Sequence, residues 1–193
     1  MNGQAAQQDI PSAAGDPAGG SADTGAGAGT DTGTGVGAVV VRAAGEADVE
    51  TAAALFRGYL DFYEVDVQDP DAPRAFLAER IAKDESLVLL ADVPELGTVG
   101  FAQVYHGFSS LSLRPAWVLN DLYVAPSGRR TGAGRALLRE VLCRAREAGV
   151  SGVQLETAYD NTVAQGLYEA EGFVREEFHV YFHDLGRGTP GQE

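Results

Sequence analysis

The chain has 193 residues, 45% hydrophobic and 22% charged, an ordinary balance for a folded globular protein of one domain or at most two. Its 28 acidic and 14 basic residues give a net charge of -14, which disfavours duplex nucleic acid and anionic membrane surfaces and favours cationic small molecules or basic peptides. The single cysteine, Cys143, excludes an internal disulfide or a thiolate-rich zinc site, and no apolar run approaches the roughly 20 residues that span a bilayer.

Residues 1–37 differ from the rest. Ten are Gly, and after Met1 the only large aliphatic side chains are Ile10 and Val36. Such a composition buries too little surface to offset its ordering entropy, so a disordered tail is expected, with a second short disordered end over 187–193. A signal peptide is not expected, because the tail has neither a basic start nor an apolar run. Gly33, Gly35 and Ala38 fit a relaxed dinucleotide fingerprint by accident. They precede a strand, whereas a phosphate loop follows one.

The domain is expected over 38–186. It opens on Ala38 to Arg42, short and β-branched, read as a buried strand. Val49, Ala52, Leu55, Tyr59 and Phe62 form one stripe of a helix over 46–63. A second helix spans 71–83, with Phe76, Leu77 and Ile81 inward. Strands follow over 86–92 and 99–105, joined by Pro94-Glu95-Leu96-Gly97, and a fourth over 117–124 is ended by Pro126. A strong helix over 132–147 places Leu137, Leu138, Val141, Leu142 and Ala145 inward and stops at Gly149. Cys143 is expected as one of its small core residues. A strand over 153–157, a helix over 162–171 closed by Gly172, and a returning strand over 173–184 complete the chain. This order predicts an α/β domain with a mixed sheet.

The segment 120–138 carries the chemistry. A strand ends, a turn follows, and Gly132 and Gly134 stand where the next helix opens. Small residues there let ligand oxygens approach the backbone, and first-turn N–H groups lack helical partners, so the turn is a pyrophosphate seat. Arg129, Arg130, Arg135, Arg139, Arg144 and Arg146 oppose only Glu140, so residues 129–146 carry +5 in an acidic chain. A Walker loop needs Gly-Lys-Ser/Thr, but the one lysine, Lys83, is far away; a Rossmann turn wants Gly at Leu137.

Arg129-x-x-Gly132-x-Gly134 fits the acetyl-CoA motif of the GNAT superfamily of N-acetyltransferases, which the sequence resembles. The run Asn161-Thr-Val-Ala164 followed by Leu167-Tyr168 and Gly172-Phe173 is similar to the same family's later motif, in the same order and at its spacing. The resemblance covers residues 39–185. It implies a three-layer α/β/α fold with a mixed, splayed central sheet of about six to seven strands. It implies acetyl-CoA as cofactor, with Arg129, Arg130, Thr131, Gly132, Ala133, Gly134 and Arg135 around the pyrophosphate, chiefly through backbone N–H groups. It also implies a bulge at Asn120-Asp121, and beside Tyr123 a free N–H on Leu122 or Val124 that meets the thioester carbonyl. Asn161 matches a cofactor-contacting Asn, with a plain N-cap as the equal alternative. Tyr168 matches the acid that protonates the leaving thiolate, a phenol of pKa about 10 against roughly 8.5 for a thiol; its alternative is a half-buried helix tyrosine.

The base is open. Asn120 has no carboxylate, so Asp121 is the nearest candidate, with Glu156 behind it, and either suits an ion pair as well. His179 and His183 lack a third ligand, so no metal is expected; His106 is read as a surface residue. Tyr59, Tyr63 and Glu64 fall where the resembling family borders its acceptor, and aromatics beside carboxylates suit an ammonium. The alternative is a core stripe with an acidic end. The expected activity is transfer of acetyl to a small, cationic primary amine, in the cytoplasm. A peptide N-acetyltransferase and a non-catalytic acyl-CoA sensor are the alternatives. The expected partners are a small-molecule amine, no nucleic acid and no membrane, with a homodimer as a further expectation.

Overall fold

The computed structural model describes residues 38–183; the tail over 1–37 and the end over 187–193 lie outside the described residues. In chain order the elements are β1 (Val40–Ala43), a 3-10 turn (Glu46–Asp48), α1 (Val49–Phe62), α2 (Ala72–Ala82), β2 (Ser86–Val93), β3 (Gly97–Ser109) and β4 (Arg114–Val124). A 3-10 turn (Pro126–Gly128), α3 (Ala133–Glu147), β5 (Val153–Gln154) and α4 (Thr162–Ala170) follow. The sheet runs β1-β2-β3-β4-β5, antiparallel except for the parallel pair β4–β5.

Alternation along the strands gives the sheet two apolar faces. Leu89, Ala91, Ala102, Val104 and Leu119 face α3 and pack on its stripe of Leu137, Leu138, Val141 and Ala145. Val88, Leu90 and Phe101 take the other face, under Ala52, Ala53, Leu55 and Phe56 of α1 and Leu77 of α2. The expected α/β/α layering follows directly from these two interfaces.

Several expectations need correction. The sheet has five strands among the described residues, not six or seven. β1 is a half-exposed edge strand, because among the described residues only β2 pairs with it. The fifth strand is two residues long rather than five. No strand forms over 173–183; Val174, Phe178, Val180 and Phe182 alternate as strand residues do, yet all are exposed and unpaired among the described residues. Phe76 is 37% exposed and covers the core edge by stacking on Phe56. Cys143 is exposed beside Glu147, because the buried stripe of α3 runs through 137, 138, 141 and 145 and leaves 143 on the outer face.

Candidate active site

The site is made by one strand that pairs unequally on its two edges. On one edge β4 pairs with β3 from Arg114 to Val124; on the other it pairs with β5 only at Trp117 and Val118. Two residues beyond the last β5 pair, the β3 register jumps: Gln103 faces Asp121, while Val104 faces Leu119. Asn120 is therefore the unpaired residue of a bulge, as expected, and a bulge bends and twists its strand. Past it β4 and β5 part, and a cleft of about 250 Å³ opens between them.

The open edge of β4 presents backbone donors. Ala125 N–H donates to Val99 O at 2.8 Å, toward β3. Peptide directions alternate along a strand, so the N–H groups of Val124 and Leu122 face the side that β5 has left. Both residues line the cleft.

The turn into α3 forms the floor. Arg130 and Gly132 are both left-handed, with φ of 65° and 90°; the second value is a glycine conformation. Thr131 Oγ1 donates to Gly128 O at 2.7 Å and fixes the turn. Among the described residues, the N–H groups of Gly132, Gly134 and Arg135 have no protein acceptor. They form the first turn of a 15-residue helix, where the dipole is positive. Gly134 lines the cleft; a Cβ there would touch Val124 and Leu167 at 3.6 and 3.7 Å, so any branch would enter the space. Arg129 also lines the cleft and has no ion pair among the described residues.

Three arginines of the cationic run are held elsewhere. Arg135 and Arg139 both hold Glu171, at 3.0 and 2.7 Å, and Arg144 holds Glu140 at 2.7 Å. The Arg139 and Arg135 guanidiniums keep the Glu171 carboxyl below its usual range. Ala133, the first residue of α3, is buried in the core, so it offers the site no side chain.

From α4, Asn161, Ala164, Leu167 and Tyr168 reach the cleft. Asn161 is the N-cap: its Oδ1 accepts from Ala164 N at 3.2 Å, which leaves its amide nitrogen for a ligand. Tyr168 packs against Phe173 with ring centres 6.0 Å apart. Burial, with the Tyr63 phenol adding to it, pushes the Tyr168 phenol up to about 12, so it keeps its proton at neutral pH.

The opposite wall is aromatic and comes from the end of α1. Tyr59 and Tyr63 lie 4.9 Å apart, Phe62 and Tyr63 5.1 Å, and Tyr59 and Tyr123 6.4 Å, all edge to face. Glu64 follows in an exposed turn and is not part of the wall. Asp121 stands behind the wall rather than in it. Its carboxyl is buried on the α1 face of the sheet, accepts from Asn120 Nδ2 at 3.1 Å, and is faced by the Tyr59 phenol. Burial raises its pKa against the pull of those two partners.

The structure thus brings Tyr59, Tyr63, Leu122, Tyr123, Val124, Arg129, Gly134, Asn161 and Tyr168 to one cleft. Glu156 lines it too, with Thr157, at the point where β5 has turned away. Phe62, Thr157 and Val163 were not singled out from the sequence. Phe62 carried a signal, as the last aromatic of the α1 stripe. His179 and His183 are exposed, and no cluster of three or more His, Cys, Asp or Glu suited to a metal occurs among the described residues. No helix there is long and apolar enough to cross a membrane.

The profile of the acetyltransferase (GNAT) family matches residues 52–173. The uncharacterized N-acetyltransferase YhfO of Bacillus subtilis is 36% identical over 143 residues, 74% of this chain and 94% of the relative. An aminoglycoside N(6')-acetyltransferase type 1 of Stenotrophomonas maltophilia is 32% identical, over 75% of this chain and 92% of the relative. The crystal structure of a probable acetyltransferase superposes with a TM-score of 0.71 at 36% identity, covering 77% of this chain and 99% of the other. With the family's profile lying across both motifs and the splayed strands between them, the chain belongs to the GNAT family of N-acetyltransferases.

Proposed function

We propose that this N-acetyltransferase moves an acetyl group from acetyl-CoA directly to the primary amine of a small, cationic acceptor. The observation that carries the reading is the wedge between β4 and β5: free β4 N–H groups and Tyr168 flank it, the N-terminus of α3 floors it, and a tyrosine wall faces them. The residues suit a pyrophosphate-bearing donor. Unpartnered N–H groups of Gly132, Gly134 and Arg135, the Arg129 guanidinium and the Asn161 amide are all donors, and Gly134 leaves the approach open.

When bound, acetyl-CoA supplies the acetyl group already activated as a thioester. The chain's part is to bind, polarise and move protons. The Leu122 or Val124 N–H donates to the carbonyl oxygen, where negative charge develops. Tyr168 Oη holds its proton at neutral pH and gives it to the leaving sulfur. Tyr59 and Tyr63 receive the ammonium by cation–π contact, and Asp121, behind them, is the base that draws off its proton. Glu64, exposed at the rim, adds only to the acidic field that attracts a cation. The relative named for an aminoglycoside supports a small amine as acceptor.

The test is thiol release from acetyl-CoA with a panel of monoamines, polyamines, amino acids, aminoglycosides and peptides. Turnover is expected with a small cationic amine. Turnover confined to peptides would overturn the acceptor class, and binding of acetyl-CoA with no turnover on any amine would make the protein a sensor.

A further inference from the structure

Three polar side chains are buried among the described residues: Ser86 at 4% exposure, Gln103 at 0% and Asp121 at 6%. They lie in one row. Ser86, Gln103 and Asp121 sit on β2, β3 and β4, neighbours in the sheet. Gln103 faces Asp121 directly and Val88 on its other side, so Ser86 is two residues along β2 on the same face. The amide nitrogen of Gln103 lies 2.9 Å from Ser86 Oγ, while its amide oxygen is buried without a partner.

An orphaned amide oxygen is rare in a protein interior, and here the group across the strand is a carboxyl. An amide is both donor and acceptor, and its two ends exchange places by rotating half a turn. With nitrogen toward Asp121 it donates to a carboxylate, and Ser86 donates to its oxygen. With oxygen toward Asp121 it accepts from a carboxylic acid. Across the strand from Asp121, the amide thus carries a group suited to either protonation state of that carboxyl.

We infer that Ser86 and Gln103 are positioning residues that hold Asp121 as a proton acceptor behind the cleft wall, and that the Tyr59 hydroxyl relays the proton to it. Tyr59 lines the cleft and faces Asp121, which does not itself line it. The ammonium N–H bond breaks as the proton joins Tyr59 Oη, and the hydroxyl's own proton passes to Asp121 Oδ. Tyr59 ends neutral, the amine becomes nucleophilic, and the carboxylate becomes a carboxylic acid. The inference rests on the reading of Asp121 as base. The groups around that carboxyl are Tyr59 from α1, Tyr63 at its C-cap, Tyr105 and Gln103 from β3, and Asn120. No Arg, Lys or His ion-pairs with it among the described residues.

The test is the pH profile of kcat/KM for the amine at saturating acetyl-CoA. Gln103→Met removes the amide that, with its nitrogen turned to Asp121, favours the carboxylate, so the acid limb should move up by about one pH unit, with KM for acetyl-CoA within about twofold. Ser86→Ala, a small change that the core tolerates, should move it the same way by roughly half as much. Tyr59→Phe should lower kcat/KM for the amine about 10²-fold. If the Gln103 and Ser86 variants leave the acid limb in place, whatever they do to melting temperature, the row is structural only and the inference falls. A fully active Tyr59→Phe removes the relay. Asp121→Asn separates the two levels: wild-type turnover sinks Asp121 as base, whereas lost turnover beside an unmoved Gln103→Met profile sinks the row alone.

Discussion

The two edges of β4 are made from the same peptide groups and do opposite things. Toward β3 the edge is paired from Arg114 to Val124 except at the bulged Asn120, so its N–H and C=O groups are consumed in holding the sheet. Toward β5 it is paired only at Trp117 and Val118, and beyond them the edge is open. Backbone donors in a fold are normally spent on structure; a site gains them where pairing is interrupted, and one bulged residue, Asn120, marks the interruption. The two walls of the cleft repeat the contrast. The α3–α4 side offers unpartnered donors beside glycine, and the α1 side offers aromatic rings with a buried carboxyl behind them.

If the α3–α4 side handles the donor and its leaving sulfur, changes there should separate chemistry from binding. Tyr168→Phe keeps the ring and its packing on Phe173 and removes one proton. Single-turnover rates at saturating amine should fall about 10²-fold, with KM for acetyl-CoA within a few-fold. A Phe variant as fast as wild type would make Tyr168 a packing residue. Gly134→Val places branches against Val124 and Leu167, in the mouth of the seat. Calorimetry should show acetyl-CoA binding about tenfold weaker, near 1.4 kcal/mol, with the fold retained; unchanged affinity would remove the α3 N-terminus from the seat.

The α1 side should show the reverse trade. Burial raises the Asp121 pKa in the folded state. A carboxyl so raised binds protons more readily folded than unfolded, so it lowers stability as pH climbs from its unfolded value toward its folded one, and the deficit persists above that. Asp121→Asn should therefore raise the melting temperature at pH 7 by about 2–4 °C, while turnover is lost. The gain should vanish below about pH 4, where the unfolded carboxyl is itself protonated. A variant less stable than wild type at pH 7 would mean that Asp121 is held mainly by attractive partners.

Much of this was readable along the chain because the signals are local. Helix α3 shows its apolar stripe within fifteen residues, and Gly132-x-Gly134 marks the start whose N–H groups are free. The bulge at Asn120-Asp121 and the tyrosine on α4 followed from the motif resemblance rather than from periodicity. What misled was equally local. Residues 173–183 alternate as a strand should, but a strand exists only where another edge accepts its hydrogen bonds, and none does so among the described residues. Cys143 looked like core on composition, yet it lies on the outer face of α3.

Sequence alone indicated the four helices, most of the strands and the glycine-bearing turn before α3, because each depends on neighbours within a few residues and on fixed periods of 3.6 and 2. Tertiary structure decided which charges were left to act. The arginine run read as a single patch until Glu171, from the end of α4, took Arg135 and Arg139. It also decided that Asp121 lies behind the wall and not in it, and that Gln103 faces it across the sheet. Pairing and burial are properties of distance in space, and a carboxyl's chemistry follows from what surrounds it rather than from its neighbours in the chain.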